Sequence, residues 1–323
     1  MVSLNSKSKY RELCKVSNDI PIFSMDWWLD ITAGDSNWDV SVVESGGEII
    51  ASLPYYRFKK YGLEMIRMPK LTPAMGVWIR YPSDQKYATR LAYEKETFTK
   101  LIDQLPEFDS FYQHFYWTIT NWMPFHWKGF TQSTDYTYLL EDLSDLDAVF
   151  AGFRENIRRE IRKAQKQLTV ERSEDIAKFY EIQSKTYQRQ NLKMPYSFEF
   201  LKKLDDACKR RSCRAMWFAA DSLGQVHSVM YVVWDSKYVY YLMGGGDPLL
   251  RTSGAMSLLM WRAIQEASGL SRQFDFVGSM YESIDRFFRG FGAVQKPYFQ
   301  LSKTNGKLMK MVLLAKDAYR IFR

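Results

Sequence analysis

Cysteine and histidine are scarce in this sequence, and long apolar runs are missing. Cys14, Cys208 and Cys213 are the only cysteines in 323 residues. An odd number with no Cys-x-x-Cys pair supports neither a disulfide framework nor a thiolate zinc site. His114, His126 and His227 show no metal-ligand spacing, so imidazole-based metal chemistry and Ser-His or Cys-His triads lack their parts. No metal is expected. No stretch approaches the roughly 18 apolar residues that a membrane-spanning helix needs, and the basic opening lacks the apolar segment of a secretory signal. Reduced thiols and no span fit a cytoplasmic protein.

What is present is an ordinary composition, 46% hydrophobic and 25% charged. The chain is long enough for two domains of about 150 residues each. Forty-five Lys and Arg against 37 Asp and Glu leave a net charge of +8. That favours an anionic partner: a phosphorylated cofactor, a nucleotide-linked substrate, RNA or a membrane face. The densest positive stretch is RENIRREIRKAQKQL, in which Ile157, Ile161, Ala164 and Leu168 mark one apolar helical stripe. Arg158, Arg159, Arg162, Lys163 and Lys166 lie off it, on a face that is either merely solvated or an anion site.

The order of elements repeats. WDVSVVESGGEIIASLPYYRF reads as strand, Gly-Gly turn, strand, and CRAMWFAADSLGQVHSVMYVVW reads the same way with Leu-Gly at its turn. After each hairpin come further extended sequence, a helix, a strand, a Gly-Phe segment and a last polar strand. The helix spans about residues 86–105 in the first half and SGAMSLLMWRAIQEAS in the second. This is an internal duplication, with a helical insert over about residues 146–211. The closing stretch LMKMVLLAKDAYRIFR reads as a basic amphipathic helix docked on the protein's own body, with peripheral membrane contact as the lesser alternative.

Ligands of such sheets sit beyond strand ends, where a loop enters a helix. In YYLMGGGDPLLRTSGAMSLLMW a strand runs into three glycines, a proline turn and a helix that Ser253 is placed to cap and Gly269 to close. With Arg251 alongside and Gly254 permitting close approach, the first-turn amides could cradle a pyrophosphate.

These segments, with ENIRREIRKA, FDFVGS and IDRFFRGFGAVQKPY, resemble the GNAT acyltransferases, and the doubled arrangement resembles the Fem-type transferases. In the first half WWLDI, IIASLPYY and LTPAMGVWI carry the resemblance. It implies an α/β fold of two tandem GNAT-like domains, each a central mixed sheet flanked by helices: residues 1–140, non-catalytic, and residues 141–323, catalytic. It implies an acetyl-CoA or other acyl-CoA donor. The donor's pyrophosphate would lie on Arg251, Thr252, Ser253, Gly254 and Ala255, with Met256 where the family has a small residue. The amides of Met243, Gly244 and Gly245 would polarise the acyl carbonyl. Asp275 or Glu282 would be the base, with Tyr281 beside them; Tyr241, Arg286 and Arg289 would meet the substrate. Phe288 stands where many GNAT enzymes carry Tyr. No sustained heptad pattern marks a coiled-coil arm in the insert, so aminoacyl-tRNA is a less favoured donor than acyl-CoA.

The residues themselves offer a plainer account of DFVGSMYESIDRFFRGFG. Ser279 and Glu282 fit a capping box, Glu282 with Arg286 and Asp285 with Arg289 are i,i+4 ion pairs, and Ile284, Phe287 and Phe288 would pack inward. Asp275, alternating with Phe274 and Phe276, is expected to face away from whatever they bury. The expected activity is acyl transfer to an amine of an anionic cell-envelope or polysaccharide precursor. The alternative is a binding module for a phosphorylated ligand or partner, its chemistry lost.

Overall fold

Strong turn chemistry and alternation set the first elements. In this computed structural model, which describes residues 5–306 apart from Ser271 and Ser279, together with Met309, the chain divides into two compact units. The first runs to Asp135 and is rejoined by the chain from Pro297; the second is Tyr136–Lys296. The chain thus crosses between the units twice, after Asp135 and after Lys296, where a single boundary at 140/141 was expected. The closing amphipathic helix lies outside the described residues, Met309 apart.

In the first unit, helices α1 (Ser6–Val16) and α2 (Asp26–Leu29) precede the hairpin of β1 (Trp38–Ser45) and β2 (Glu48–Lys60). Then come β3 (Leu63–Arg67), the short β4 (Trp78–Ile79) on β2, α3 (Tyr87–Asp103), β5 (Ser110–His114) and α4 (Met123–Trp127). Strand β6 (Thr131–Leu140) begins here and ends in the second unit. β1, β2 and β3 are antiparallel, whereas β3 and β5 are parallel because α3 carries the chain across between them. Phe98, Leu101, Phe111 and Phe115 pack one face, and Tyr10, Trp38 and Val40 belong to a second cluster.

The second unit continues with α5 (Leu146–Gly152), α6 (Glu155–Gln165), β7 (Thr169–Arg172), α7 (Ile176–Arg189) and α8 (Phe198–Arg210). The hairpin β8 (Arg214–Ala220) and β9 (Val226–Trp234) leads to β10 (Tyr238–Gly246), α9 (Ala255–Gly269), β11 (Gln273–Asp275), α10 (Glu282–Phe288) and β12 (Val294–Thr304). Its strands follow the order β12-β6-β11-β10-β9-β8-β7, with β10 and β11 parallel. Ile157, Ile161 and Ala164 of α6 and Leu259, Ala263 and Ile264 of α9 lie in one buried cluster with Phe274 and Phe276. The expected order of hairpin, strand, helix, strand, short helix, strand therefore occurs twice. The insert, expected to be helical, also holds a strand, β7.

The strands form one sheet of twelve, and the two units do not use wholly separate strands of it. Residues 131–135 of β6 and 297–304 of β12 belong to the first unit, and residues 136–140 and 294–296 to the second. At about 3.3 Å per residue, strands this long serve both. β12 runs antiparallel to β5, with Leu301 wholly buried among the first unit's aromatics. Among the described residues, no helix is long and apolar enough to cross a membrane.

Candidate active site

Among the described residues, β10 and β11 are paired at Tyr238 with Gln273, Val239 with Phe274 and Tyr240 with Asp275. β11 then stops, while β10 continues through a bulge between Tyr241 and Met243 to Gly246. Asp275 thus marks the point where the two strands part. Its side chain is absent from the cluster that buries Phe274 and Phe276, as the alternation led one to expect, yet it is not exposed either. Phe274, Asp275 and Phe276 are all buried, because β11 is an interior strand covered on both faces. Asp275 Oδ1 accepts from Thr137 Oγ1 at 2.6 Å and from the Val277 amide at 2.7 Å. Burial pushes its pKa up to about 6 against these two bonds, which favour the charged form. Val277 has φ +64°, a left-handed conformation that a β-branched side chain adopts only under strain.

Tyr281 and Glu282 lie at the surface. Tyr281 is the N-cap of α10, and Glu282 is its first helical residue, paired with Arg286 at 2.8 Å. The expected capping box needs Glu282 two residues further in, at the third helical position; its Ser279 lies outside the described residues. The carboxylate that α10 turns toward β6 is instead Asp285. It accepts from the Tyr138 hydroxyl, which accepts in turn from Gln295 Nε2 at 2.8 Å. Arg289 meets Asp285 at 3.6 Å, so both expected ion pairs form. Phe288 is buried between Tyr241 and Phe276, with ring centroids 5.9 and 5.2 Å away. Phe287 joins the cluster, but Ile284 is exposed. Tyr241 is partly buried, and burial raises its hydroxyl pKa. Thr137 and Tyr138 were not expected here, and Asp285 was expected only as the ion-pair partner of Arg289.

The turn before α9 is built differently from expectation. Arg251–Ser253 is a 3-10 turn, and Gly254 at φ +80°, not Ser253, is the N-cap; Ser253 Oγ still accepts from the Ala255 amide at 3.4 Å. Gly269 is the last helical residue and Leu270 the C-cap. The glycine at 254 serves helix packing: a Cβ there would stand 2.7 Å from the Glu160 carbonyl oxygen of α6. Glu160 also takes a 2.6 Å bond from Ser257 Oγ in the first turn of α9, and Lys163 reaches the Thr252 carbonyl at 3.1 Å. Ala255 is buried, whereas Arg251 and Thr252 are exposed.

The backbone at Met243, Gly244 and Gly245 is roofed by the insert. Gly245 lies under α7, where a Cβ would come within 2.6 Å of Gln183 Cα. The Tyr196 hydroxyl bonds Gln183 Oε1 at 2.8 Å and approaches Met243 Sδ at 3.4 Å. An open cavity of about 720 Å³ lies at the other end of β10 and α9, lined by Glu141, Ser236, Tyr238, Ser268 and Arg272. It is not the site expected from the glycine-rich turn.

A family model described as an acetyltransferase (GNAT) domain matches residues 151–288, which hold β10, α9, β11 and α10. No curated protein sequence matches the chain. Among solved structures, that of FemX is 12% identical, covers 96% of this chain and 98% of its own, and superposes with a TM-score of 0.67. L-PGS from Bacillus licheniformis is 10% identical, with 96% of each chain covered and a TM-score of 0.56. A protein of unknown function from Bacteroides thetaiotaomicron VPI-5482 is 10% identical, with 93% of this chain and 96% of that chain covered and a TM-score of 0.54. Residues 151–288 thus match a GNAT acetyltransferase domain, within a chain that has the fold of FemX over nearly its full length.

Proposed function

We propose that this chain is an N-acyltransferase that passes an acyl group from an acyl-CoA to an amine on an anionic acceptor, using Asp275 as general base. The observation that carries the reading is Asp275 itself, a buried carboxylate with a pKa of about 6 at the point where β11 ends and β10 goes on alone. A base of that pKa is charged at neutral pH yet retains proton affinity. Acyl-CoA supplies the activated acyl group. The amine nitrogen bonds the acyl carbon as the thioester C–S bond breaks; Asp275, held by Thr137, takes the proton that the amine releases, the coenzyme A thiolate leaves and takes up a proton in turn, and exposed Arg251 and Thr252 meet the donor's phosphates. The residues fit a phosphate at that turn's outer edge only, since Gly254 and Ser257 are engaged by α6. The second unit is thereby the catalytic one, and an anionic cell-envelope or polysaccharide precursor is the acceptor class. The Fem-type resemblance keeps aminoacyl-tRNA as the less favoured alternative donor.

One observation favours a binding module without chemistry: Phe288 fills the space between Tyr241 and Phe276. Thermal unfolding with acetyl-CoA, free CoA or charged tRNA separates the readings. A donor at a hundred times its Kd stabilises by about 2.7 kcal/mol. A shift with acetyl-CoA that Arg251→Ala removes supports the transferase; no shift with any donor supports the module.

A further inference from the structure

Several turns of the second unit meet at one end of its sheet. β10 finishes at Gly246, whose amide donates to Thr186 Oγ1 at 3.0 Å, and Lys185 pairs with Asp247 at 2.9 Å, so α7 ends beside it. The Asp247 amide donates to the His227 carbonyl at 2.9 Å, which brings the β8–β9 turn to the same end. Thr169, the first residue of β7, pairs with Ala220, the last of β8, and so draws the end of α6 there too.

Each of three turns at this end carries an exposed leucine: Leu192 after α7, 54% exposed, and Leu223 and Leu249, each 90% exposed. Cations surround them. On α6, Arg159, Arg162, Lys163 and Lys166 follow i, i+3, i+4, i+7, opposite the buried Ile157, Ile161 and Ala164. All four are exposed, as are Arg189 and Lys193 beside Leu192, and none forms an ion pair with an acid among the described residues. Like charges at helical spacing repel one another unless an anion answers them. The acids at this end are engaged: Asp221 accepts from the Leu223 and Gln225 amides and lies 3.2 Å from His227, and Asp247 is paired with Lys185.

We propose that this end of the second unit docks on a membrane surface rich in anionic lipid. The cations meet headgroups, and the leucines on three separate turns enter the boundary with the acyl chains. Aliphatic tips gain nothing from a nucleic-acid backbone, which decides for lipid over RNA. The test is sedimentation of the full chain with phosphatidylcholine vesicles, either pure or containing roughly one-third phosphatidylglycerol. Binding is expected only to the anionic vesicles. The triple variant Leu192→Ser, Leu223→Ser, Leu249→Ser should weaken it about tenfold or more. Arg159→Glu with Lys166→Glu should do the same. Both variants should melt as the parent does, since all five side chains are exposed. The proposal is overturned if anionic vesicles are not bound, if the leucine variant binds undiminished, or if a short RNA binds while vesicles do not. Vesicle binding without a donor-induced thermal shift would keep this surface and remove the transferase reading.

Discussion

At Asp275, stability and chemistry pull in opposite directions. Its folded pKa of about 6 lies above the ordinary carboxylate value of 3.8, so the fold prefers the protonated form. That preference stabilises the fold fully below about pH 4, is lost as the pH rises through 6, and stays lost above. Two pH units correspond to about 3 kcal/mol, undiminished by solvent because the group is buried. Asp275→Asn keeps an acceptor for Thr137 and Val277 but carries no charge. It should be more stable than the parent at pH 8 by up to about 3 kcal/mol, with no gain at pH 4. Urea unfolding at the two pH values checks this; an equal difference at both would refute the charge explanation. If Asp275 is the base, the same variant loses acyl transfer. Thr137→Val should move the acid limb of the pH-rate profile to higher pH, because a bond favouring the carboxylate is gone.

Among elements, the junction of α6 and α9 depends on one backbone position. Gly254→Ala forces a left-handed conformation on a side chain that also meets the Glu160 carbonyl. The cost should be roughly 2 kcal/mol or more, read from denaturant midpoints. This position also shows what the sequence conceals. Gly254 was legible as a glycine needed for close approach, but the approaching group is a helix some 90 residues earlier rather than a ligand. The hairpins were legible because Gly46-Gly47 and Leu223-Gly224 supply turn chemistry between alternating runs. α3 and α9 were legible from apolar periodicity. β7 was not: TVER has no apolar alternation, and only pairing with β8 makes it a strand. Asp275 could be picked out at its strand end, yet the Thr137 bond that orients it spans 138 residues and leaves no local trace.

For the whole molecule, the decisive long-range feature is the last strand. The first unit cannot complete its sheet from its own N-terminal stretch, since β5 pairs with residues 300–304 of β12 and Leu301 is fully buried among Phe111, Phe115 and Phe130. A chain cut after Lys296 would leave β5 with an unpaired edge and a vacancy in that core. The second unit, Tyr136–Lys296, keeps residues 136–140 of β6 and the whole of β7 to β11 in the same truncation, losing only the part of β12 beyond Lys296. Limited proteolysis of the truncated chain should therefore yield a resistant fragment near residues 136–296 and digest the N-terminal portion, whereas the full chain resists in both. Leu301→Asp is the point-substitution form of the experiment: a carboxylate in that cluster should cost about 3 kcal/mol or more and expose the same N-terminal segment. A well-dispersed NMR spectrum from residues 1–135 alone would show that β12 is dispensable, and the first unit would then be a domain closed on its own strands.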